Sequence, residues 1–162
     1  MAIEVKDLSQ LKLMRKAGLV VADTLKLLKQ SARIGMTTLE LDEIAANNLA
    51  KHGATSSFLG YHGFPAVICA SVNEEVVHGI PNRRKLVSGD VLSIDFGAIV
   101  DGWHGDAAIS FGLGEVEAAN QKLMDVCQES MWRGIAAGKK GAKLTDISAA
   151  IEDYINSQGK YG

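Results

Sequence analysis

The sequence contains little of what marks secreted, membrane-spanning or disordered chains. Its 162 residues include two prolines and two cysteines, and Cys69 and Cys127 lack metal-ligand spacing, so we expect buried thiols. No apolar run reaches the roughly 18 residues of a membrane helix, and no signal-peptide pattern is present. The net charge of −2 gives no reason to expect binding to a specific nucleic acid or to a membrane. These absences predict a cytoplasmic protein without disordered linkers.

The remaining composition and the residue patterns predict a mixed α/β chain. A hydrophobic fraction of 47% and a charged fraction of 22% suit one globular domain with a sizeable core. Apolar residues at helical spacing predict four helices. In the second helix, Glu40 follows Thr37 by three residues, which is the spacing of a capping box. The predicted helices cover residues 11–30, 39–53, 117–137 and 145–157, and the predicted strands cover 66–71, 75–78, 91–99 and 103–111.

The last two helices look like a copy of the first two, displaced by about 106 positions. Gly35 matches Gly141, and Glu40 matches Asp146. A chance match is the alternative, since amphipathic helices followed by glycine are common. A true copy predicts one domain with a first half at residues 1–114 and the helices of a second half at residues 115–162. The second half then lacks its strands, so we expect the chain to stop about two-thirds of the way through its domain.

A predicted β-hairpin at residues 91–111 carries one aspartate on each strand, Asp95 and Asp106. Asp101 and Gly102 form the dipeptide favoured in two-residue hairpin turns, and in that register paired residue numbers add to 203. Side chains alternate between the faces of a strand. Asp95 and Asp106 therefore share one face as diagonal neighbours, with backbones about 7–8 Å apart. The opposite face is predicted to be core and contains Ile94, Phe96, Ala98, Val100, Trp103, Ala107 and Ile109.

Two carboxylates directed at one place repel each other unless a proton or a cation lies between them. Gly97 has no side chain and leaves room beside Asp95 and Asp106. Hard divalent cations prefer carboxylate oxygens, and pairs of such ions suit hydrolysis. The pattern therefore predicts a metal site, and the alternative is a hairpin with one solvated polar face.

Four motifs follow one another along the chain. They are GYHGFP at 60–65, NEEVVHGIP at 73–81, GDV at 89–91 and DGWHGD at 101–106. His62 and His78 lie in the first two motifs, and each is followed by a glycine. In this order the motifs resemble those of the bacterial-type (type I) methionine aminopeptidases, and the resemblance runs from about Leu8 to Gly162.

The resemblance implies the fold and the roles of the site residues. The fold would be the α+β pita-bread fold, a pseudo-twofold architecture whose second half is incomplete here. Asp95 would bind one metal ion and Asp106 would bridge two, and the complete enzyme would use two divalent ions of Co, Mn, Fe or Zn. His78 would contact the substrate and steer the scissile amide. The methionine pocket would be lined by Phe58, Tyr61, Phe64 and Cys69.

The implied activity is removal of the initiator methionine from nascent polypeptides by metal-activated water. The family's remaining ligands, one histidine and two glutamates, would follow Gly162, so we expect these 162 residues alone to be inactive. One alternative is a non-catalytic or Xaa-Pro-peptidase-like pita-bread relative. Another is a ribosome-associated binding fragment. The basic loop at 82–85 could make a transient contact with ribosomal RNA, and the alternative is a solvated loop.

Overall fold

Four helices and one antiparallel sheet account for most of the chain in the computed structural model, which describes residues 3–161. The chain divides into two compact units, one ending at Val116 and the other beginning at Glu117. The first unit contains helices α1 (Leu8–Ser31) and α2 (Thr38–Lys51) and strands β1 (Thr55–Ser56), β2 (Ile68–Val72), β3 (Val91–Val100) and β4 (Trp103–Gly112). The second unit contains helices α3 (Ala118–Ala137) and α4 (Leu144–Gln158).

Strand β3 is the centre of the sheet. Strand β4 pairs with it over its full length along one edge. The other edge is shared by two shorter strands, with Ile68 of β2 opposite Phe96 and Thr55 of β1 opposite Ile99. Every pairing is antiparallel. The two partners of β3 on this second edge bring the chain around residues 55–72 next to the middle of the hairpin.

The caps of α1 and α2 define where these helices begin. The side chain of Asp7 accepts hydrogen bonds from the backbone N–H groups of Ser9 and Gln10. Thr37 and Glu40 form the predicted capping box, in which Thr37 Oγ1 accepts from Glu40 N and the Glu40 carboxylate accepts from Thr37 N. Such reciprocal bonds satisfy N–H groups that have no partner within the helix.

Helix α1 lies directly against the hairpin. A Cβ added at Gly105 would come within 2.6 Å of Gly18 N, so the backbones of β4 and α1 touch because Gly105 has no side chain. The core between helices and sheet has Leu28, Leu41 and Phe96 among its fully buried side chains. Packing of this apolar layer is the main stabilising contribution.

The predicted hairpin register is confirmed. Paired residue numbers add to 203 along the whole of β3 and β4, and the turn places Asp101 at φ 51° and Gly102 at φ 80°, the signs required by a type I′ turn. The predicted core face is confirmed along β3. The prediction is wrong for Ala107, which is exposed. Strand β4 pairs with only one neighbouring strand among the described residues, so it lies at an edge of the sheet, where fewer apolar side chains cover it.

The predicted strand at 75–78 is wrong. These residues form a loop after β2, although two valines give the segment high strand propensity. Val76 and Val77 are 87% and 57% exposed, so these side chains have no apolar layer against which an extended strand would pack. Val77 and His78 instead have positive φ angles.

The second unit is a helix pair. A Cβ at Gly134 of α3 would come within 2.8 Å of the Ile151 side chain of α4, so the two helices pack closely at that glycine. Val126 and Ser130 are buried in this unit. No helix of the described residues is long and apolar enough to cross a membrane.

The helix pair repeats the local geometry of α1 and α2. The ends of α1 and α3, at Ser31 and Ala137, and the starts of α2 and α4 are both 106 positions apart. Gly35 and Gly141 have φ angles of 88° and 87°. The Asp146 carboxylate accepts from Lys143 N as Glu40 does from Thr37 N. The two helix pairs thus share spacing, turn and cap. The predicted copy, with 1–114 and 115–162 as halves of one domain, stays a prediction.

Candidate functional site

The first unit contains a cavity of about 790 Å³ on the aspartate face of the hairpin. Its walls come from the segment after β1, from β2, from the loop after β2, and from β3 and β4. All seven predicted site residues line it. The full set of lining residues is Ser57, Phe58, Tyr61, His62, Gly63, Phe64, Pro65, Cys69, His78, Ile80, Asp95, His104 and Asp106. The fold therefore collects side chains spread over fifty positions of sequence around one space.

Asp95 and Asp106 concentrate negative charge on one wall of the cavity. Burial raises the pKa of Asp95, and the neighbouring charge of Asp106 raises it further. The raised pKa means that the negatively charged form of Asp95 is disfavoured. A cation bound between the two carboxylates would stabilise that charged form and take the place of the proton.

The donor chemistry fits a hard divalent cation, but the donors are few. Within residues 3–161 no group of three or more His, Cys, Asp or Glu side chains is arranged to hold a metal ion. Oxygen-bound cations of this type usually take about six ligands. Asp95 and Asp106 therefore supply suitable ligands for part of a coordination sphere but do not complete it.

Contacts with Gly97 of β3 fix the aromatic wall of the cavity that Phe58 forms. Ser57 N donates a hydrogen bond of 3.0 Å to the Gly97 carbonyl, and Ser56 Oγ accepts from the backbone N–H groups of Phe58 and Leu59. These bonds hold the Phe58 ring against Gly97, where a Cβ would lie 2.9 Å from Phe58 Cε1. The aromatic wall is thus set by the backbone and lies beside the aspartates.

Cys69 lies directly opposite Asp95 in the β2–β3 pair. It is buried, whereas Cys127 is exposed, so the prediction of a buried thiol is wrong for Cys127. Burial, with the charges of Asp95 and Asp106, raises the pKa of the Cys69 thiol to about 11. Reactive cysteines need a depressed pKa. Cys69 is therefore a neutral wall residue and not a nucleophile.

The Ser57–His104 pair was not predicted from the sequence as part of the site. Ser57 Oγ lies 3.0 Å from His104 Nδ1, across the cavity wall next to Asp106. Alternation along β4 could have identified His104, since it shares a face with Asp106. No sequence signal identifies Ser57, whose place depends on the pairing of β1 with β3.

The model of metallopeptidase family M24 matches residues 12–162. The chain belongs to this family. Divalent metal use is therefore expected of it, in agreement with the donors at Asp95 and Asp106. The roles of the individual site residues stay predictions.

Relatives with curated names agree on one enzyme. The methionine aminopeptidase of Clostridium perfringens is 45% identical over 97% of this chain and 63% of its own length. Methionine aminopeptidase 1 of Mycobacterium tuberculosis is 49% identical over 91% of this chain and 56% of its own length. The predicted resemblance to methionine aminopeptidases is confirmed, and the chain spans about three-fifths of the length of these relatives.

Solved structures confirm the predicted pita-bread fold. The methionine aminopeptidase of Rickettsia prowazekii superposes with a TM-score of 0.92 at 36% identity, covering 96% of this chain and 63% of the other. The Xaa-Pro dipeptidase of Bacillus anthracis has a TM-score of 0.82 at 23% identity, over 96% of this chain and 42% of the other. This second likeness shows the fold alone.

Proposed function

We propose that this protein is a metal-dependent aminopeptidase that removes the initiator methionine from new polypeptides. The proposal rests on one observation, that Asp95 and Asp106 lie in the wall of an apolar cavity. The named relatives of the chain are methionine aminopeptidases. The chain covers only part of those relatives, so the activity is proposed for the complete protein.

Asp95 and Asp106 would hold divalent ions, two in number and drawn from Co, Mn, Fe or Zn, with further ligands from the rest of the complete protein. Ions bound there would lower the pKa of a water molecule and polarise the scissile carbonyl. The aspartates supply negative charge and geometry in this scheme. Burial raises the pKa of Asp95, and repulsion from Asp106, which bound cations would relieve, raises it further.

The cavity walls suit a methionine side chain. Phe58, Phe64 and Tyr61 provide aromatic surface, and Cys69 adds a neutral sulfur. An unbranched thioether adapts to such walls and makes favourable contacts between sulfur and ring. His78 lines the same cavity, and we propose that it contacts the amide to be cleaved.

The substrates would be the N-termini of nascent polypeptides in the cytoplasm. Ribosome contact through the basic loop 82–85 has weaker support, because Arg84 already pairs with Asp90 at 3.3 Å and with Glu75 at 3.7 Å. Arg84 therefore stabilises its own loop, and only two of the three basic side chains remain for another partner.

The alternative functions remain distinguishable by substrate. The likeness to the Xaa-Pro dipeptidase rests on fold, at 23% identity, whereas the named methionine aminopeptidases share 45% and 49%. The complete protein, expressed from its own gene and loaded with Mn²⁺ or Co²⁺, should cleave Met-Ala-Ser. Addition of a chelator should abolish cleavage and returning the metal should restore it.

Three results would contradict the proposal. Cleavage that persists after metal removal would exclude the mechanism. Cleavage of an Xaa-Pro dipeptide in place of Met-Ala-Ser would favour the peptidase-like alternative. Absence of any peptidase activity in the metal-loaded protein would favour a binding role.

A further inference from the structure

The loop that carries His78 has an unusual backbone. Asn73, Val77 and His78 have φ angles of 58°, 38° and 58°. Left-handed conformations are uncommon for residues other than glycine, and for a β-branched residue such as Val77 they are outliers. Such a conformation persists only where surrounding contacts determine it. The contacts that hold this loop therefore determine where the His78 side chain lies.

One end of the loop is tied to β2 through Gly79. The Gly79 carbonyl accepts a hydrogen bond of 2.8 Å from Ala70 N, and Gly79 N donates one of 3.1 Å to Ser71 Oγ. A Cβ at Gly79 would lie 2.5 Å from the Ala70 carbonyl oxygen. Gly79 is thus pressed against the free edge of β2, directly after the left-handed residues Val77 and His78.

The other end of the loop is tied to the start of β3. Asn73 N donates to the Val91 carbonyl at 2.9 Å, and Asn73 Nδ2 donates to the Asp90 carboxylate at 2.8 Å. Asp90 is buried and also pairs with Arg84. Because both ends of the loop are fixed, the position of His78 depends on the hydrogen bonds that lie nearest to it.

Ser71 makes the side-chain bond nearest to His78. It lies two residues after Cys69 in β2, so both side chains project from the face of the sheet that carries Asp95. Ser71 is 5% exposed, and its hydroxyl is the only side-chain acceptor for Gly79 N among the described residues. Loss of this oxygen would leave the partly buried N–H of Gly79 without this partner, beside the strained residues.

We propose that Ser71 is a positioning residue for His78. Its hydroxyl holds Gly79 N, keeps Val77 and His78 in their left-handed conformation, and so keeps the imidazole in the cavity beside Asp95 and Asp106. The effect on catalysis rests on the proposed function, in which His78 contacts the scissile amide. Ser71 itself does not line the cavity.

The kinetic test uses the complete metal-loaded protein and a double-mutant cycle. Ser71→Ala should lower kcat for Met-Ala-Ser by about 10-fold to 100-fold, the loss expected of a catalytic group misplaced by about 1 Å. Bound metal should be unchanged, and Ser71→Thr, which retains the hydroxyl, should recover most of the rate. In a His78→Ala background, Ser71→Ala should have little further effect, because the residue it positions is gone. An equal loss in both backgrounds would overturn the proposal.

Gly79→Ala tests the same contact from the other side. Its new Cβ would meet the backbone of Ala70, so the loop must move and kcat should fall at least as far as in Ser71→Ala. Gly18→Ala is the matched control, because nothing lies within 4 Å of a Cβ at Gly18. Thermal unfolding of each variant separates misplacement from loss of the fold. A Gly79→Ala protein with the parent rate would contradict the proposal.

A measurement without substrate separates this proposal from the proposed function. In ¹³C-labelled protein, Ser71→Ala should shift the imidazole resonance of His78. The resonance of His52, which caps the end of α2 and hydrogen-bonds Asp23, should stay unchanged. If the parent protein cleaves no methionine peptide, the function fails, yet the selective shift still supports positioning. An unmoved His78 resonance would refute positioning even if the parent enzyme is active.

Discussion

Gly97 lies directly opposite Asp106 in the β3–β4 pair, and a Cβ on Gly97 would come within 2.8 Å of Ser57 Cβ. The space of its missing side chain is filled by Ser57 and Phe58, so the prediction that Gly97 leaves room for an ion beside the aspartates is wrong. The absent side chain instead allows the segment that carries Phe58 to approach the hairpin. The cavity depends on this close approach of two segments separated by forty residues.

Gly97→Ala should therefore disturb both stability and substrate binding. We expect the free energy of unfolding to fall by about 1–3 kcal/mol, as in overpacked sites, because Ser57 and Phe58 must move. Denaturant unfolding measures this loss, and KM for Met-Ala-Ser should rise as the aromatic wall shifts. Gly18→Ala is the control and should be neutral or slightly stabilising, since it lies in α1 with open space around it. Equal stability of the Gly97 variant and its parent would contradict the close packing.

Replacement of the aspartates should separate metal binding from substrate positioning. Asp106→Asn in the complete protein should lose both bound metal and turnover while the fold persists, because a neutral amide binds a hard cation more weakly than a carboxylate does. His78→Ala should retain the metal and lose turnover. Metal content by elemental analysis, measured beside the rate, gives the comparison. Normal metal and rate in Asp106→Asn would refute the proposed ligand role.

The hairpin register, the presence of the four helices and the cap of α2 could be predicted because their signals are local. A two-residue turn at Asp101 and Gly102 fixes the register of every pair in β3 and β4, and Thr37 with Glu40 marks a helix start. These signals depend on neighbours in sequence. They also placed Asp95 and Asp106 on one face before any tertiary contact was known.

The loop at 75–78 and the partner of His104 depend on distant contacts. Strand propensity at Val76 and Val77 is overridden because Gly79 bonds to Ala70 and Ser71. Ser57 reaches His104 only because β1 pairs with β3. Neither contact leaves a periodic pattern in the sequence, so the details of the cavity walls could not be predicted.

Asp42 should stabilise the start of β2. Its half-buried carboxylate accepts hydrogen bonds from Val67 N at 2.8 Å and Ile68 N at 3.0 Å. Asp42→Ala leaves both N–H groups without this partner, and we expect a loss of about 2 kcal/mol in the free energy of unfolding. Asp42→Asn keeps an acceptor oxygen and should lose less. Equal losses in the two variants would show that the hydrogen bonds contribute little.

The pH dependence of stability gives a second test at Asp42. Burial raises the pKa of this carboxyl, more than the two backbone hydrogen bonds lower it. The folded state then binds the proton more tightly than the unfolded state, so this group's contribution to the free energy of unfolding falls as pH rises through the folded pKa. The difference between the parent and Asp42→Asn should show this fall on moving from acid to neutral pH. A difference that instead grows with pH would mean that the hydrogen bonds outweigh burial.

The 162-residue chain expressed alone should bind divalent metal weakly and should not cleave Met-Ala-Ser. The described residues direct two carboxylates at the site and contain no group of three or more metal-binding side chains, whereas such cations usually take about six ligands. Calorimetric titration with Mn²⁺ should therefore give weaker binding than in the complete protein. The Asp95→Asn, Asp106→Asn double variant of the same chain is the matched control, and it should remove the weak binding that remains. Tight binding of two ions by the 162 residues, together with cleavage, would show that these two aspartates and their neighbours form a sufficient site.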